Sequence, residues 1–313
     1  MELEKASVVA VVVAHNSAKW LPQCIAALVR DVPVVVIDNA SSDASVACAQ
    51  KAGAHVILNT QNEGYGRANN QGVRAAKMAE WCLVINPDAV VDRDCLSTLL
   101  EAARQTPNAA VLAPRLVEPD GRHFVHSESV LSDAASTHAQ AEDRPDDHQL
   151  VPFVSGACFL VKRSAFLSVG GFDERIFLFY EDDDLCLRLR EAGFELLLVG
   201  DAVARHARGT STAPGPGHIF RNRWHQAWSR SYVCRKHGVR DDGRMVLIRN
   251  GLKLIAVLPT LNRRRIERYA GSAAGAWARL RNRSALDRER LQPTSMDQRP
   301  TRALSLRRRG VQT

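Results

Sequence analysis

The stretch Val8-Val9-Ala10-Val11-Val12-Val13-Ala14-His15-Asn16-Ser17 decides the fold. Its apolar residues run without a polar interruption, the pattern of a strand buried on both faces. Polar residues then arrive at once. The same succession recurs three times: Val34–Ile37 leads into Asp38-Asn39-Ala40-Ser41-Ser42-Asp43, His55–Leu58 into Asn59 through Asn62, and Cys82–Ile85 into Asn86-Pro87-Asp88. Helix-patterned segments, Ala18–Leu28, Ser42–Ala52, Arg67–Ala79 and Asp92–Arg104, separate the runs. Strands alternating with helices predict an α/β domain with a mainly parallel sheet. Ligands of such sheets bind outside the carboxyl ends of the strands, where the four polar segments would converge. Taken singly, Asp38, Asp43 and Asp88 are as well explained as helix caps or turn residues. Taken together, they point to a site.

Further along, Val111–Leu116 and the apolar block Phe153–Val161 read as strands. A turn at Glu118-Pro119-Asp120-Gly121 and a polar, mobile loop over Gln140–Gln149 lie between them. A helix from Glu181 to Glu191, closed by Gly193, and a strand Glu195–Val199 complete the sheet. Ala213–Gly217, with two prolines and two glycines, reads as a hinge into a basic helical region. From Ser284 the composition turns polar and Arg-rich, which predicts disorder. The expected organisation is a catalytic domain over 1–212, a basic helical region over 213–283 and a disordered tail over 284–313.

At 313 residues with 45% apolar content, the chain buries a full core without staples. Its seven cysteines are scattered with no pair at C-x-x-C spacing, so neither a disulfide framework nor a zinc site is indicated. A reducing, cytoplasmic setting follows as an expectation. Met1–Ala6 leads straight into the first strand with no export signal, and Leu252–Leu261, broken by Lys253 and Pro259, falls short of the ~20 residues of a spanning helix. The net charge of +8 is concentrated after Arg205 and includes Arg263–Arg265 and Arg307–Arg309. An anionic partner is implied. With no nucleic-acid-binding signature in the chain, a phospholipid surface is preferred to nucleic acid, beside the plainer reading of a solvated basic tail.

Asn62-Glu63-Gly64-Tyr65-Gly66-Arg67-Ala68-Asn69-Asn70 carries a glycine pair but has Asn69 where a dinucleotide fingerprint requires its third glycine. The pair still predicts close approach of backbone to a ligand, with the amides of Asn69 and Asn70 at a helix start suited to an anion such as a diphosphate. Glu181-Asp182-Asp183-Asp184 places four carboxylates beside the apolar Phe177–Tyr180. One would suffice to favour a helix N-terminus. Four crowded together are a setting in which a carboxylate pKa rises toward that of a general base.

Taken jointly, Val11–Ser17, Asp38–Asp43, Asn62–Asn70, Asn86–Asp88, Gly156 within Val154–Leu160, and Gly171-Phe172-Asp173-Glu174 followed by Tyr180–Asp184 resemble the family-2 inverting glycosyltransferases. The chain most resembles bacterial rhamnosyltransferases of cell-surface polysaccharide synthesis. The resemblance spans Val8 to Gly238 and implies a GT-A fold, a Rossmann-like, doubly wound mixed sheet with a C-terminal helical extension. It implies that Asp38 holds the nucleoside, with Asn16 and Ser17 lining that pocket and Asn62, Gly64 and Asn69 on the donor side. Asn86-x-Asp88 stands where the family has D-x-D, so Asp88 would bind Mg²⁺ or Mn²⁺ on the donor diphosphate; Asn86 departs from the pattern. His206 matches a histidine that completes the metal shell, although a lone histidine is equally a core or surface residue. Asp182 matches the catalytic base, with Glu181 and Asp184 toward the acceptor.

What the resemblance implies is transfer of L-rhamnose from dTDP-rhamnose to a polyprenyl-diphosphate-linked saccharide at the cytoplasmic face of the inner membrane. A homo-oligomer remains open. A nucleotidyltransferase would instead carry a Gly-rich basic loop after the first strand, which Ala14–Ser17 does not supply. Retention of Asp88 and Asp182 speaks against a non-catalytic carbohydrate- or membrane-binding module. Finally, Phe220, Trp224, Trp228 and Tyr232 recur at helical spacing among arginines, either as a core-facing stripe or as an interfacial helix.

Overall fold

The computed structural model describes residues 6–123, 129–131, 148–207, 215 and 217–291. The Gln140–Gln149 loop, apart from His148 and Gln149, lies outside these residues, as do most of the hinge and the tail after Leu291.

The four polar-ended runs are strands β1 (Val8–Ala14), β2 (Val34–Asp38), β3 (His55–Leu58) and β4 (Trp81–Ile85). They lie parallel in the order β3-β2-β1-β4. Between them run α1 (Leu21–Leu28), α2 (Ser45–Lys51) and α3 (Tyr65–Ala75). After β4 come the short β5 (Ala89–Val91), α4 (Cys95–Gln105), β6 (Ala109–Val117), β7 (Gln149–Leu150) and β8 (Cys158–Lys162). Then follow α5 (Arg163–Ser168), α6 (Glu181–Glu191) and β9 (Glu195–His206).

The far half of the sheet is not parallel. β8 is antiparallel to β4 and β6, β6 is parallel to β9, and β5 and β7 each pair antiparallel with β9. The mixed sheet implied by the resemblance is therefore present, and the mainly parallel sheet drawn from strand–helix alternation holds only for its first half.

The uninterrupted apolar runs have a simple cause. Val8, Ala10, Val12 and Ala14 join one core layer with α1 and α4, while Val9, Val11 and Val13 join the opposite layer with Phe159, Phe166 and Phe172. Both faces of β1 are buried, so neither tolerates polar side chains. Gly72 of α3 permits the tightest approach to the sheet, because a Cβ there would run into Val11.

Helices α7 (His218–Lys236), α8 (Gly243–Val257), α9 (Arg263–Leu280) and α10 (Ala285–Leu291) follow. The segment expected to be disordered from Ser284 thus opens with a helix. It is pinned because Ala285 is fully buried and Glu289 pairs with His225 and Arg221. The aromatic stripe of α7 faces inward, with Trp224 and Trp228 buried and stacked at 6.4 Å. Gly271 and Gly275 of α9 abut the carbonyls of Phe220 and Trp224, so α7 and α9 meet backbone to backbone. Of the two readings of the stripe, the core-facing one holds. Among the described residues no helix is long and apolar enough to cross a membrane. All seven cysteines are free thiols.

Candidate active site

The parallel strand ends are stitched to one another. Asn39 donates its backbone amide to Ala14 and its side-chain amide to the Gly64 carbonyl, and Asn59 donates to the Asn39 Oδ1 at 2.8 Å. His15 Nδ1 donates to the Asn39 carbonyl at 2.8 Å, and burial holds its pKa below the usual histidine value.

Asp38 is 3% exposed; its Oδ2 accepts from the Ser41 amide while its Oδ1 is buried without a partner. An orphaned carboxylate oxygen costs free energy unless a ligand donor meets it. Asn16, at φ 54°, accepts from the Ser42 amide and hydroxyl, and Ser17 receives the amide of His15 and offers its own to Ser45. These two residues shape the loop beside Asp38.

The glycine segment behaves differently from the sequence expectation. Helix α3 starts at Tyr65, so the amides of Asn69 and Asn70 lie inside it and are not presented to an anion. Asn69 is fully buried; its side-chain amide donates to the Tyr65 carbonyl, while its Oδ1 is buried without a partner. Asn62 accepts from the Gly64 amide, and a Cβ at Gly64 would sit 2.5 Å from the Phe177 carbonyl oxygen. The glycine admits the Phe177 backbone of the segment leading to the carboxylates. Asn70 clamps that segment by exchanging hydrogen bonds with the Phe172 backbone.

Asp88 follows β4 and is buried. Because β5 pairs with the last residues of β9, Ala89 opposes His206, and the His206 Nε2 lies 3.3 Å from Asp88 Oδ1. That Nε2 is buried without a hydrogen-bond partner. An imidazole nitrogen and a carboxylate oxygen fit a shared divalent cation such as Mg²⁺ or Mn²⁺. Among the described residues no third His, Cys, Asp or Glu joins them. The nearby Cys24, pushed up to about 12 by burial, stays a thiol and offers no thiolate. Asn86 donates its amide to the Ala157 carbonyl at 2.8 Å, tying this loop to the entry of β8.

One residue earlier, the Gly156 amide donates to Asp182 Oδ2 at 2.9 Å, and the Tyr65 hydroxyl donates to the Gly156 carbonyl at 2.5 Å. The Asp183 amide caps Asp182 Oδ1. The carboxylates diverge from there. Burial lifts Asp182 above its ordinary pKa while the Gly156 amide pulls it down. Burial, then the Asp182 charge, lifts Glu181 well above the carboxylate range, and its Oε2 is buried without a partner. The same two causes push Asp183 up to about 7, although its Oδ1 accepts from the Ser129 hydroxyl and the Val130 amide. A cleft of about 210 Å³ is lined by Phe179, Tyr180, Glu181, Asp182, Asp183 and Gln226. Phe179 and Tyr180 both adopt left-handed backbone, at φ 70° and 66°, a strain of about 1–3 kcal/mol each that the turn into α6 sustains.

Asp184 does not fit the acceptor role expected of it. Its side chain is 0% exposed and enclosed by Arg188 at 2.6 Å, Lys236 at 2.5 Å and His237 at 2.8 Å. It anchors α6 to α7. Tyr232 and Lys236 also hold Asp173, and Ser229 donates to the Leu178 carbonyl. Sequence reasoning missed Arg221, whose charge helps to depress His15 from α7, together with His15, Tyr65 and Lys236. Only the Asp184–Arg188 spacing of four could have revealed part of this network.

A doubly wound sheet bearing a carboxylate–histidine pair and a second, buried carboxylate at its strand ends defines a nucleotide-sugar-type transferase of the GT-A fold. The chain belongs to glycosyl transferase family 2, whose sequence profile matches residues 9–170. It is 31% identical over 240 residues to N-acetylglucosaminyl-diphospho-decaprenol L-rhamnosyltransferase of Mycobacterium tuberculosis, covering 64% of this chain and 78% of that protein. Rhamnosyltransferase WbbL of Escherichia coli is 30% identical over 190 residues, covering 55% of this chain and 71% of the relative. The fold is shared with the mannosyltransferase PcManGT from Pyrobaculum calidifontis, solved with GDP-Man and Mn²⁺, at a TM-score of 0.52 and 14% identity over 88% of this chain and 87% of that one. It is also shared with GalNAc-T7, solved with UDP, GalNAc and Mn²⁺, at a TM-score of 0.54 and 13% identity; the match covers 92% of this chain but 56% of that one. The protein is a family-2 glycosyltransferase, distantly related to bacterial rhamnosyltransferases.

Proposed function

We propose that this enzyme is a metal-dependent inverting rhamnosyltransferase that moves L-rhamnose from dTDP-rhamnose onto a polyprenyl-diphosphate-linked saccharide at the cytoplasmic face of a membrane. The observation that carries the reading is the link Asn86–Ala157–Gly156–Asp182, in which the Asn86 amide meets the Ala157 carbonyl and the Gly156 amide meets the Asp182 carboxylate, coupling the Asp88–His206 pair to the half-buried Asp182. The names of the M. tuberculosis and E. coli relatives support the sugar, and the former supports the lipid-linked acceptor.

Asp38 offers its unpartnered Oδ1 to the nucleoside, within the loop shaped by Asn16 and Ser17. Asp88 and His206 would hold Mg²⁺ or Mn²⁺, which when bound neutralises charge on the departing diphosphate. Asp182, fixed by the Gly156 and Asp183 amides, takes the proton from the acceptor hydroxyl. The hydroxyl oxygen bonds to the anomeric carbon as the bond to the diphosphate breaks, and the configuration inverts. Glu181 and the strained Phe179-Tyr180 turn wall the acceptor side and keep bulk water from the base. Residues 1–212 would form the catalytic unit and 213–283 a basic helical unit docked on it.

Purified protein should be assayed against a panel of nucleotide sugars with a lipid-diphosphate-linked acceptor. Preferential turnover of dTDP-rhamnose is expected. Preference for another donor would overturn the sugar assignment, and turnover unaffected by chelator would overturn the metal assignment.

A further inference from the structure

Helix α8 carries an apolar face that none of the described residues covers. Met245, Ile248, Leu252 and Ile255 recur at spacings of three and four and are between 57 and 67% exposed. Leu258 (50%) and Leu261 (85%), in the turn that follows, extend the same ridge. The opposite side, with Val246, Leu247, Leu254 and Val257, is half-buried. Apolar patches of this kind on a monomer mark an interaction surface.

The surrounding charge selects the occupant. Helix α8 contains no acidic residue, and Arg244, Arg249 and Lys253 are exposed on the flanks of the ridge. Beyond Leu261, Arg263, Arg264 and Arg265 are exposed at the start of α9, and only Arg263 has an acidic partner among the described residues, Glu267. An apolar ridge bordered by cations is the composition of a helix lying in an anionic lipid interface. At fifteen residues, α8 is also too short to span the bilayer.

We propose that the α8 ridge and its flanking cations dock the enzyme on an anionic phospholipid bilayer. This deepens the proposed function by naming the surface that brings the site to its acceptor. It also reassigns the membrane contact from the α7 stripe, which is buried, to α8. Docking there carries the active site along, because α7 joins the bundle to α6 through the Lys236, His237 and Asp184 ion pairs.

The test uses the full chain with vesicles of phosphatidylcholine alone and of phosphatidylcholine with phosphatidylglycerol. Sedimentation should show binding to the anionic vesicles, weakened by salt. Ile248→Gln/Leu252→Gln/Ile255→Gln should lower it at least about tenfold, since each inserted apolar side chain contributes. Arg249→Glu/Lys253→Glu, which leaves the ridge intact, should lower it several-fold and weaken its salt dependence. Both variants should melt like the parent and transfer to a water-soluble acceptor at the parental rate, so failure of the sugar assignment remains distinct from failure of docking. Equal binding to neutral vesicles, no binding, or undiminished binding by both variants would overturn the proposal. So would a parent that is dimeric and becomes monomeric in the triple variant, because the ridge would then be covered by a second copy.

Discussion

The Gly156 amide meets Asp182 Oδ2 at 2.9 Å, and a methyl group added at Gly156 would lie 3.4 Å from that same oxygen. Under the proposed mechanism, Asp182→Asn preserves the shape and removes the base. Turnover should fall by about 10²–10⁴-fold with donor affinity little changed. Single-turnover kinetics with one donor and one acceptor check this, and near-normal turnover would move the base elsewhere.

The raised pKa of Asp182 also fixes the acid limb of the pH profile. A base is inactive while protonated, so kcat/KM should climb as pH rises through a value above the ~3.9 of a free aspartate. The limb should vanish in Asp182→Asn, leaving a flat residual rate. A limb that persists unchanged belongs to another group.

Asp183, at about 7, makes a prediction about stability rather than rate. Its charged form is favoured in the unfolded chain, so the folded state loses stability as pH rises from about 4 to about 7. Asp183→Asn can still accept from Ser129 and Val130. Its thermal midpoint should therefore decline less steeply over that window, and parallel curves would count against the assignment.

Asp184→Asn should fail through the fold. Removing one charge from a buried ion network costs about 3–5 kcal/mol, because the partners are left uncompensated. Denaturant melts should show the loss. An unchanged melt with a raised acceptor KM would restore the acceptor role.

Asp88→Ala should abolish divalent-dependent donor binding while the fold persists, and His206→Ala should raise the Mn²⁺ concentration needed for half-maximal activity. Calorimetric titration of donor with and without metal separates the two effects. Normal turnover of Asp88→Ala in chelator would remove the metal from this pair.

β1, β2 and β4 were legible because burial on both faces leaves an uninterrupted apolar run, whereas β3, at the sheet edge with His55 and Leu58 exposed, was legible only as a short apolar run between polar segments. β9 was harder. It was expected to stop at Val199, yet it continues through Gly200 and Asp201 to His206 by shifting register against β6 between Pro114 and Arg115. That extension delivers His206 to Asp88, and a polar interruption hides it from a reading based on apolar runs. At Gly64 the sequence shows that backbone comes close, and the structure shows that one such neighbour is Phe177, more than a hundred residues away. Asp184 likewise looked like its acidic neighbours, since its partners Lys236 and His237 lie more than fifty residues away.

The antiparallel seam between β4 and β8 has a bearing on how such an enzyme diversifies. Under the proposed reading, everything up to Asn86 serves the donor and the stretch from Gly156 through α6 serves the acceptor, with the strand ladder and the Asn86–Ala157 bond joining them. A chimera cut between Val117 and Ser129 would have to match more than that seam, because the β5–β9, β6–β8 and β6–β9 ladders, the Asp88–His206 pair and the Asn70–Phe172 clamp also cross the cut. On that reading acceptor choice changes only in step with the donor-side residues that meet it, and a series of enzymes that differ in what they glycosylate must vary both sides of the seam together.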